Sequence, residues 1–80
     1  MLNVQRVPEL DLHGVRHEDV PKKIDDFVYE NKYYSGIGYV ITGRSQKMKS
    51  VAMAVLKSYF EESMFSEDIF NDGRIKINFN

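Results

Sequence analysis

Residues 37–60 read IGYVITGRSQKMKSVAMAVLKSYF, a short apolar run followed by a polar turn and a long amphipathic stretch. The apolar, β-branched run IGYVIT predicts a buried strand over Tyr39–Thr42, and residues Gly43–Gln46 predict a turn. After the turn, apolar residues recur at intervals of three and four, which is typical of a helix with one buried face. The stripe consists of Met48, Val51, Ala52, Val55, Leu56, Tyr59 and Phe60.

A similar strand and helix precede this unit. Residues Glu9–His13 alternate as ELDLH, which predicts a short strand that Gly14 ends, with Leu10 and Leu12 on one face. A second apolar stripe follows and predicts another amphipathic helix. That stripe consists of Val20, Ile24, Phe27 and Val28.

Residues at both ends of this first helix predict where it begins and ends. Pro21 belongs in the first turn, where its missing N–H does little harm. Either Asp19 caps the helix, or an irregular turn begins at Arg16. We expect the helix to end near Lys32 and residues Tyr33–Gly38 to form a loop.

The C-terminal part of the chain predicts two short strands. The first is Glu67–Phe70, and the second is Arg74–Phe79, which alternates as RIKINF. Between them, Asp72 and Gly73 offer a two-residue hairpin turn. The order is therefore β-α-β-α-β-β, in which helical crossovers make the first three strands parallel and the last strand antiparallel.

This order predicts an α/β fold: a two-layer sandwich with a four-stranded mixed sheet and two helices on one face. The chain has 80 residues, which fits one domain over residues 1–80 with a core of about residues 8–79. That length excludes a barrel enzyme and a doubly wound dinucleotide-binding domain.

The amino-acid composition excludes further classes of protein. The chain has no cysteine, which excludes disulfide scaffolds, thiolate metal sites and cysteine nucleophiles. No apolar run approaches the roughly 18 residues of a membrane span, so we expect no membrane association. Because residues 1–10, MLNVQRVPEL, lack a charged region followed by an apolar one, we expect no secretory leader and a cytoplasmic location.

Charge is unevenly distributed although the net charge is only −1. Residues 40–57 contain bases and no acid, whereas residues 58–72 contain acids and no base. The bases are Arg44, Lys47, Lys49 and Lys57, and the acids are Glu61, Glu62, Glu67, Asp68 and Asp72. The pattern predicts a basic and an acidic region, unless these short blocks are merely solvated faces.

The topology indicates where a ligand would bind. In parallel α/β sheets, ligands bind outside the carboxyl ends of the strands. Residues 11–14, residues 42–45 and the turn at Asp72 and Gly73 should therefore share one edge of the sheet. Tyr33 and Tyr34 lie at the opposite edge, where we expect them to be packing or surface residues.

Two short patterns at the predicted edge carry possible chemistry. Asp11 and His13 are two apart on a strand and would point to the same face, where the pair suits general acid–base work on a phosphodiester. The alternative is an ordinary strand end whose aspartate accepts loop N–H groups and whose histidine is solvated. A metal cage needs several converging ligands, and here only Asp11, His13 and His17 are close in sequence. A single Mg²⁺ or Mn²⁺ ion on Asp11 is left open.

The second pattern is the turn Gly43-Arg44-Ser45 in front of a helix. Backbone N–H groups, the positive helix end, the Arg44 guanidinium and nearby lysines together suit a phosphate. The alternative is a plain turn in which Ser45 or Gln46 caps the helix. The sequence lacks G-x-x-x-x-G-K, so this is not a nucleotide P-loop.

With these residues, the chain resembles the Smr (small MutS-related) domain family. The resemblance rests on Leu10-Asp11-Leu12-His13-Gly14 and on Ile41-Thr42-Gly43-Arg44, and it covers about residues 8–79. The family's second motif is [TH]GxG, so Ser45 stands where that motif has glycine. If the motif requires a positive φ there, serine obstructs it, and Ser45→Gly should improve binding or cleavage.

The resemblance implies a β-α-β-α-β-β fold like the C-terminal domain of a bacterial translation initiation factor, nucleic-acid binding and often endonuclease activity. It implies Asp11 and His13 as catalytic residues and the loop at Gly43 and Arg44 as the phosphate-binding loop. We expect RNA, including mRNA on ribosomes, rather than DNA. The predicted nucleic-acid contacts are Gly14, His17, Thr42, Gly43, Arg44, Ser45, Lys47, Lys49 and Arg74.

Two alternatives remain at this point. The same edge of the sheet could hold RNA or a ribosomal surface without cutting it. The acidic stretch at residues 58–72 could instead contact a protein partner.

Overall fold

The computed structural model of the chain describes residues 7–79. The expectation of no secretory leader and the outer ends of the predicted domain fall partly on residues 1–6 and 80, which lie outside the described residues. The elements are β1 (Glu9–Asp11), a 3₁₀ turn (His17–Asp19), α1 (Val20–Glu30), β2 (Gly36–Ile41), α2 (Gln46–Leu56), a second 3₁₀ turn (Glu62–Met64), β3 (Phe65–Glu67) and β4 (Arg74–Phe79).

The four strands form one mixed sheet in the order β1-β2-β4-β3. Strand β1 runs parallel to β2, and β4 runs antiparallel to both β2 and β3. The predicted α/β fold is thereby confirmed. Strand β4 pairs with β2 along six residues, from Gly36 opposite Phe79 to Ile41 opposite Arg74, and so lies inside the sheet.

One core lies between the sheet and the helices. In β4 the side chains alternate, with Ile75, Ile77 and Phe79 buried and the residues between them more exposed. This period of two places one face of the strand against the helices. The other buried apolar residues are Leu12, Val20, Ile24, Phe27, Val40, Met48, Ala52, Leu56 and Phe65.

An aromatic cluster closes the core at the end of the sheet where β4 finishes. The Phe79 ring lies edge-on to the rings of Phe27, Tyr34 and Phe60, with centroids 5.5–5.8 Å away. The Tyr34 hydroxyl also donates to the Ile37 carbonyl at 2.9 Å, whereas Tyr33 is 92% exposed. Both tyrosines are thus packing and surface residues, as predicted.

The first helix differs slightly from the prediction. The irregular turn at Arg16 is confirmed, because Asp19 N–H donates to the Arg16 carbonyl at 2.9 Å and the Asp19 side chain caps nothing. The helix ends at Glu30, before the predicted Lys32. The Asn31 side-chain amide donates to the Phe27 carbonyl at 2.8 Å, which satisfies a carbonyl at the helix end.

Strand β2 begins at Gly36, so the prediction of a loop over Tyr33–Gly38 is wrong from Gly36 onward. Glycines weaken an isolated strand, but here pairing with β4 stabilises the extended backbone. Gly38 is needed for space, because a Cβ there would lie 2.6 Å from the Phe79 ring and 3.1 Å from the Pro8 carbonyl oxygen.

Helix α2 ends at Leu56, so the predicted helical stripe does not extend to its last two members. Tyr59 and Phe60 lie in the turn that follows. There, the Tyr59 hydroxyl donates to Asp25 on α1 at 2.7 Å, and Phe60 packs on Phe79. Both aromatic residues therefore make these contacts from a turn and not from the helix.

The β3–β4 connection also differs from the prediction. Strand β3 is Phe65–Glu67 rather than Glu67–Phe70, because Phe65 is the side chain that enters the core. Residues 68–73 form a longer loop, here called the β3–β4 loop, in place of a two-residue Asp-Gly turn. Gly73 is not among the glycines with positive φ, which the predicted turn requires.

Candidate functional site

The segments expected to share one edge of the sheet do so. Asp11 lies opposite Ile41, and Ile41 lies opposite Arg74, so β1 and β2 end where β4 begins. The backbone N–H groups of Thr42 and Gly43 both donate to the Gly73 carbonyl, at 2.9 and 3.0 Å. We call this edge, made of residues 11–14, 42–47 and 72–74, the rim.

Asp11 and His13 occupy the rim, but not as neighbours on a strand. Strand β1 ends at Asp11, and His13 lies in the following turn, so the prediction of a strand that reaches His13 is wrong. The Asp11 carboxylate accepts the His13 backbone N–H at 2.8 Å. Asp11 therefore holds the turn, as in the alternative interpretation, and the His13 side chain is exposed.

Two glycines shape the rim beside these residues. Gly14 has φ +79° and Gly43 has φ +68°, which is the left-handed region that glycine adopts without strain. Apart from the adjacent residues of the chain, no atom of residues 7–79 lies within 4 Å of a Cβ built on either glycine. Backbone conformation therefore explains both glycines, and the space above each backbone is open to a ligand.

Ser45 is the N-cap of α2. Its hydroxyl accepts the Met48 backbone N–H at 3.1 Å, and its φ of −69° is ordinary for any residue. The suggestion that serine is strained by a positive φ at this position is therefore wrong. The backbone gives no conformational reason for Ser45→Gly to improve binding.

Arg44 and Lys47 provide the accessible positive charge of the rim. The Arg44 side chain is 86% exposed, and its Nε lies 3.4 Å from an Asp72 carboxylate oxygen. Lys47 is exposed in the first turn of α2. An exposed ion pair of this kind contributes little stability, so the guanidinium can exchange Asp72 for an anionic ligand at low cost.

Three of the predicted nucleic-acid contacts are engaged inside the protein instead. The buried Thr42 hydroxyl donates to the Gly43 carbonyl at 2.8 Å. The Lys49 side chain is 6% exposed, with its Nζ 3.5 Å from Glu67. Arg74 donates from Nε to Asp68 at 2.6 Å, and its guanidinium lies 3.7 Å from the Tyr39 ring centroid. These placements do not fit direct contacts to phosphate.

His17 is exposed in the 3₁₀ turn that precedes α1. It lines a shallow hollow together with Val15, Arg16 and Glu18. Within residues 7–79, no group of three His, Asp or Glu side chains converges as a set of metal ligands. One oxygen of the Asp11 carboxylate, the predicted position for a single Mg²⁺ or Mn²⁺ ion, accepts the His13 N–H group.

The acidic stretch, residues 58–72, is partly paired with the basic stretch, residues 40–57. Glu67 contacts Lys49, and Asp72 contacts Arg44, so two of its carboxylates lie against bases from the 40–57 segment. Asp68 contacts Arg74. Glu61 and Glu62 are exposed and remain as the acids that a protein partner could contact.

Comparisons with protein-family models, curated proteins and solved structures found no match to this chain. The Smr resemblance therefore rests on the residues that carry it. In the part of the chain described here, neither helix is long and apolar enough to cross a membrane.

Sequence reasoning missed Asp68, which organises the β3–β4 loop. The buried carboxylate accepts the Phe70 backbone N–H at 3.0 Å and the Arg74 Nε–H at 2.6 Å. The Phe70 N–H, followed by the Arg74 guanidinium, lowers the pKa of Asp68 from its ordinary value. The sequence did contain a turn signal here, because Asp68 and Asn71 flank two apolar residues.

This lowered pKa predicts acid sensitivity. The unfolded chain protonates Asp68 more readily than the folded one does, so its contribution to the free energy of unfolding is full above the ordinary value of 3.8. That contribution is lost as pH falls through the lower pKa of the folded state. We expect Asp68→Asn to be less stable at pH 7 and to lose less stability than the wild type between pH 5 and about pH 2.

Urea unfolding across this pH range measures the effect. The matched control is Asp19→Asn, an exposed carboxyl group that makes no capping hydrogen bond. Equal pH dependence in the wild type and Asp68→Asn would show that Asp68 does not contribute in this way.

Proposed function

We propose that this chain is an Smr-like domain that binds nucleic acid at the rim, prefers RNA, and cleaves a phosphodiester there. The observation that carries the proposal is that one edge of the sheet holds two open glycine turns, at Gly14 and Gly43, together with the exposed side chains of His13 and Arg44. A net charge of −1 does not provide the strongly basic surface that is typical of proteins that bind long duplexes.

The chemistry that we propose for the rim needs few groups. Imidazole can accept or donate a proton near neutral pH, so His13 acts as general base or general acid. As base, it takes the proton of a ribose 2′-hydroxyl whose oxygen attacks phosphorus, while water protonates the departing 5′-oxygen. Arg44 and open backbone N–H groups stabilise the charge that develops on the phosphoryl oxygens.

In this mechanism Asp11 is a positioning residue. Its carboxylate holds the His13 backbone N–H at 2.8 Å and thereby fixes the turn from which the imidazole extends. A fixed turn keeps the imidazole near the reacting atoms, which contributes to rate through orientation. No step depends on a metal ion.

A second candidate is a binding module that holds RNA or a ribosomal surface without cutting it. One observation favours it: the Asp11 carboxylate is bonded to a backbone N–H and does not orient the His13 imidazole. Such a module would use the same glycine turns and Arg44.

The test is incubation of the full chain with structured RNA and with plasmid DNA, each with and without a chelator. The proposal expects RNA fragments that persist with chelator and are absent when the 2′-hydroxyl is replaced by hydrogen. RNA binding without fragments would establish the binding module. Absence of both binding and cleavage would refute the proposed function.

Arg44→Ala is expected to weaken RNA binding and to make it less dependent on salt. A lost phosphate contact releases one counterion fewer, so the slope of log affinity against log salt should fall by roughly one unit. Asp72→Asn should have the opposite effect on affinity, because it removes the carboxylate 3.4 Å from Arg44.

Fluorescence anisotropy over a salt series measures both variants. Lys57→Ala is the matched control, since it removes one exposed positive charge at the other end of α2. Equal affinity and slope in Arg44→Ala and the wild type would remove Arg44 from the site.

A further inference from the structure

The β3–β4 loop carries two large apolar side chains in solvent. Ile69 is 88% exposed and Phe70 is 89% exposed, although both belong to residue types that are normally buried. Adjacent exposed residues of this size are typical of a contact surface rather than of packing. The proposed function leaves both of them unused.

The loop holds this apolar tip in place. The Asp68 carboxylate accepts hydrogen bonds from the Phe70 N–H and the Arg74 side chain. In addition, the Gly73 N–H donates to the Asn71 side-chain oxygen at 3.0 Å. Asn71 N–H donates to the Asp68 carbonyl at 3.2 Å. A ligand that contacts the tip therefore does not have to order the loop, which lowers the entropic cost of binding.

The β3–β4 loop connects the tip to the rim along the chain. The loop ends at Gly73, whose carbonyl accepts the N–H groups of Thr42 and Gly43. Ile69 and Phe70 also line a small hollow of about 180 Å³ together with Ser66, Glu67, Asp68 and Lys76. Lys76 lies on the sheet face away from the helices, because its neighbours Ile75 and Ile77 are buried in the core.

The charges near the tip are compatible with an anionic ligand. Three carboxylates lie close to it in the chain, and each has a basic partner: Glu67 with Lys49, Asp68 with Arg74, and Asp72 with Arg44. Lys76 adds an exposed positive charge beside the hollow. A phosphate backbone can therefore approach the tip beside Lys76, where Glu67 and Asp68 keep their basic partners.

We propose that Phe70 is a stacking contact for an unpaired nucleobase of the strand that occupies the rim. This inference rests on the proposed function and adds a substrate class, single-stranded RNA. Aromatic faces stack on any base, whereas a duplex keeps its bases inside the helix. Ile69 extends the apolar surface, and Lys76 contacts a phosphate of the same strand.

Binding of one labelled sequence, as a single strand and as a duplex, tests the inference. We expect Phe70→Ala to weaken single-strand binding about tenfold, with an unchanged salt slope and unchanged duplex binding. Phe70→Tyr should retain the affinity, and Phe70→Leu should lose it, because leucine keeps apolar area but has no ring. Tyr33→Ala, which removes another exposed aromatic ring at the opposite edge, is the matched control.

Each other outcome overturns the inference in a distinguishable way. If the wild type binds no nucleic acid, the proposed function fails together with the inference. If Phe70→Ala binds like the wild type while Arg44→Ala binds less, only the stacking contact is refuted. If Phe70→Leu matches the wild type, the contact is apolar rather than stacked. If Phe70→Ala changes only self-association in sedimentation, the tip is an interface between copies of the chain.

Discussion

Replacing His13 with alanine is expected to lower the rate of RNA cleavage by about 10²- to 10⁴-fold, the usual contribution of a general acid or base. The His13 side chain is exposed and lies outside the core, so its removal creates no cavity. The variant should therefore keep the melting temperature and RNA affinity of the wild type. Single-turnover cleavage with enzyme in excess separates this loss of rate from a loss of binding.

Two further variants separate the role of His13 from that of Asp11. Asp11→Asn keeps an oxygen that can accept the His13 backbone N–H, so it should retain most of the activity if Asp11 only holds the turn. Asp11→Ala removes that acceptor and should cleave more slowly. His17→Ala is the matched comparison, because it removes another exposed imidazole, one that is not assigned to proton transfer. With enzyme in excess, its cleavage rate should stay at the wild-type value even if RNA affinity changes. Cleavage by His13→Ala at the wild-type rate would exclude His13 as the proton-transfer group.

The parts of the fold that were predictable are those in which one local period determines burial. The stripe around Ala52 and Leu56 predicted α2, and the alternation from Ile75 to Phe79 predicted β4, because each period places apolar side chains on one face. Once these elements are assigned, short connections and right-handed crossovers leave few possible topologies.

The parts that were not predictable depend on partners distant in sequence. Gly36 belongs to a strand because Phe79 pairs with it, a contact that no local pattern contains. The region from Phe65 to Phe70 offered two apolar segments of similar strand propensity. Burial of Phe65 decided between them and left Ile69 and Phe70 in solvent.

Part of the candidate site could likewise be predicted from the sequence, and part could not. The location of the rim followed from topology, since parallel strands that begin at one edge of a sheet end at the other. The availability of each charge did not follow, because Lys49 and Arg74 are engaged by Glu67 and Asp68. The sequence predicts Lys49 as a ligand contact because its segment contains no acid. In the folded chain Lys49 is buried beside Glu67 and is not available to a ligand.

Replacing Phe79 with alanine is expected to cost about 3–5 kcal/mol of unfolding free energy, the largest stability effect predicted here. The ring is 5% exposed and contacts three other aromatic rings, and Gly38 beneath it has no side chain that could fill the space. In a domain of this size the loss lowers the melting temperature by more than about 10 °C. Phe70→Ala makes the same chemical change at an exposed site and should stay within about 0.5 kcal/mol of the wild type. Calorimetry of the two variants decides, and equal losses would contradict the aromatic core described here.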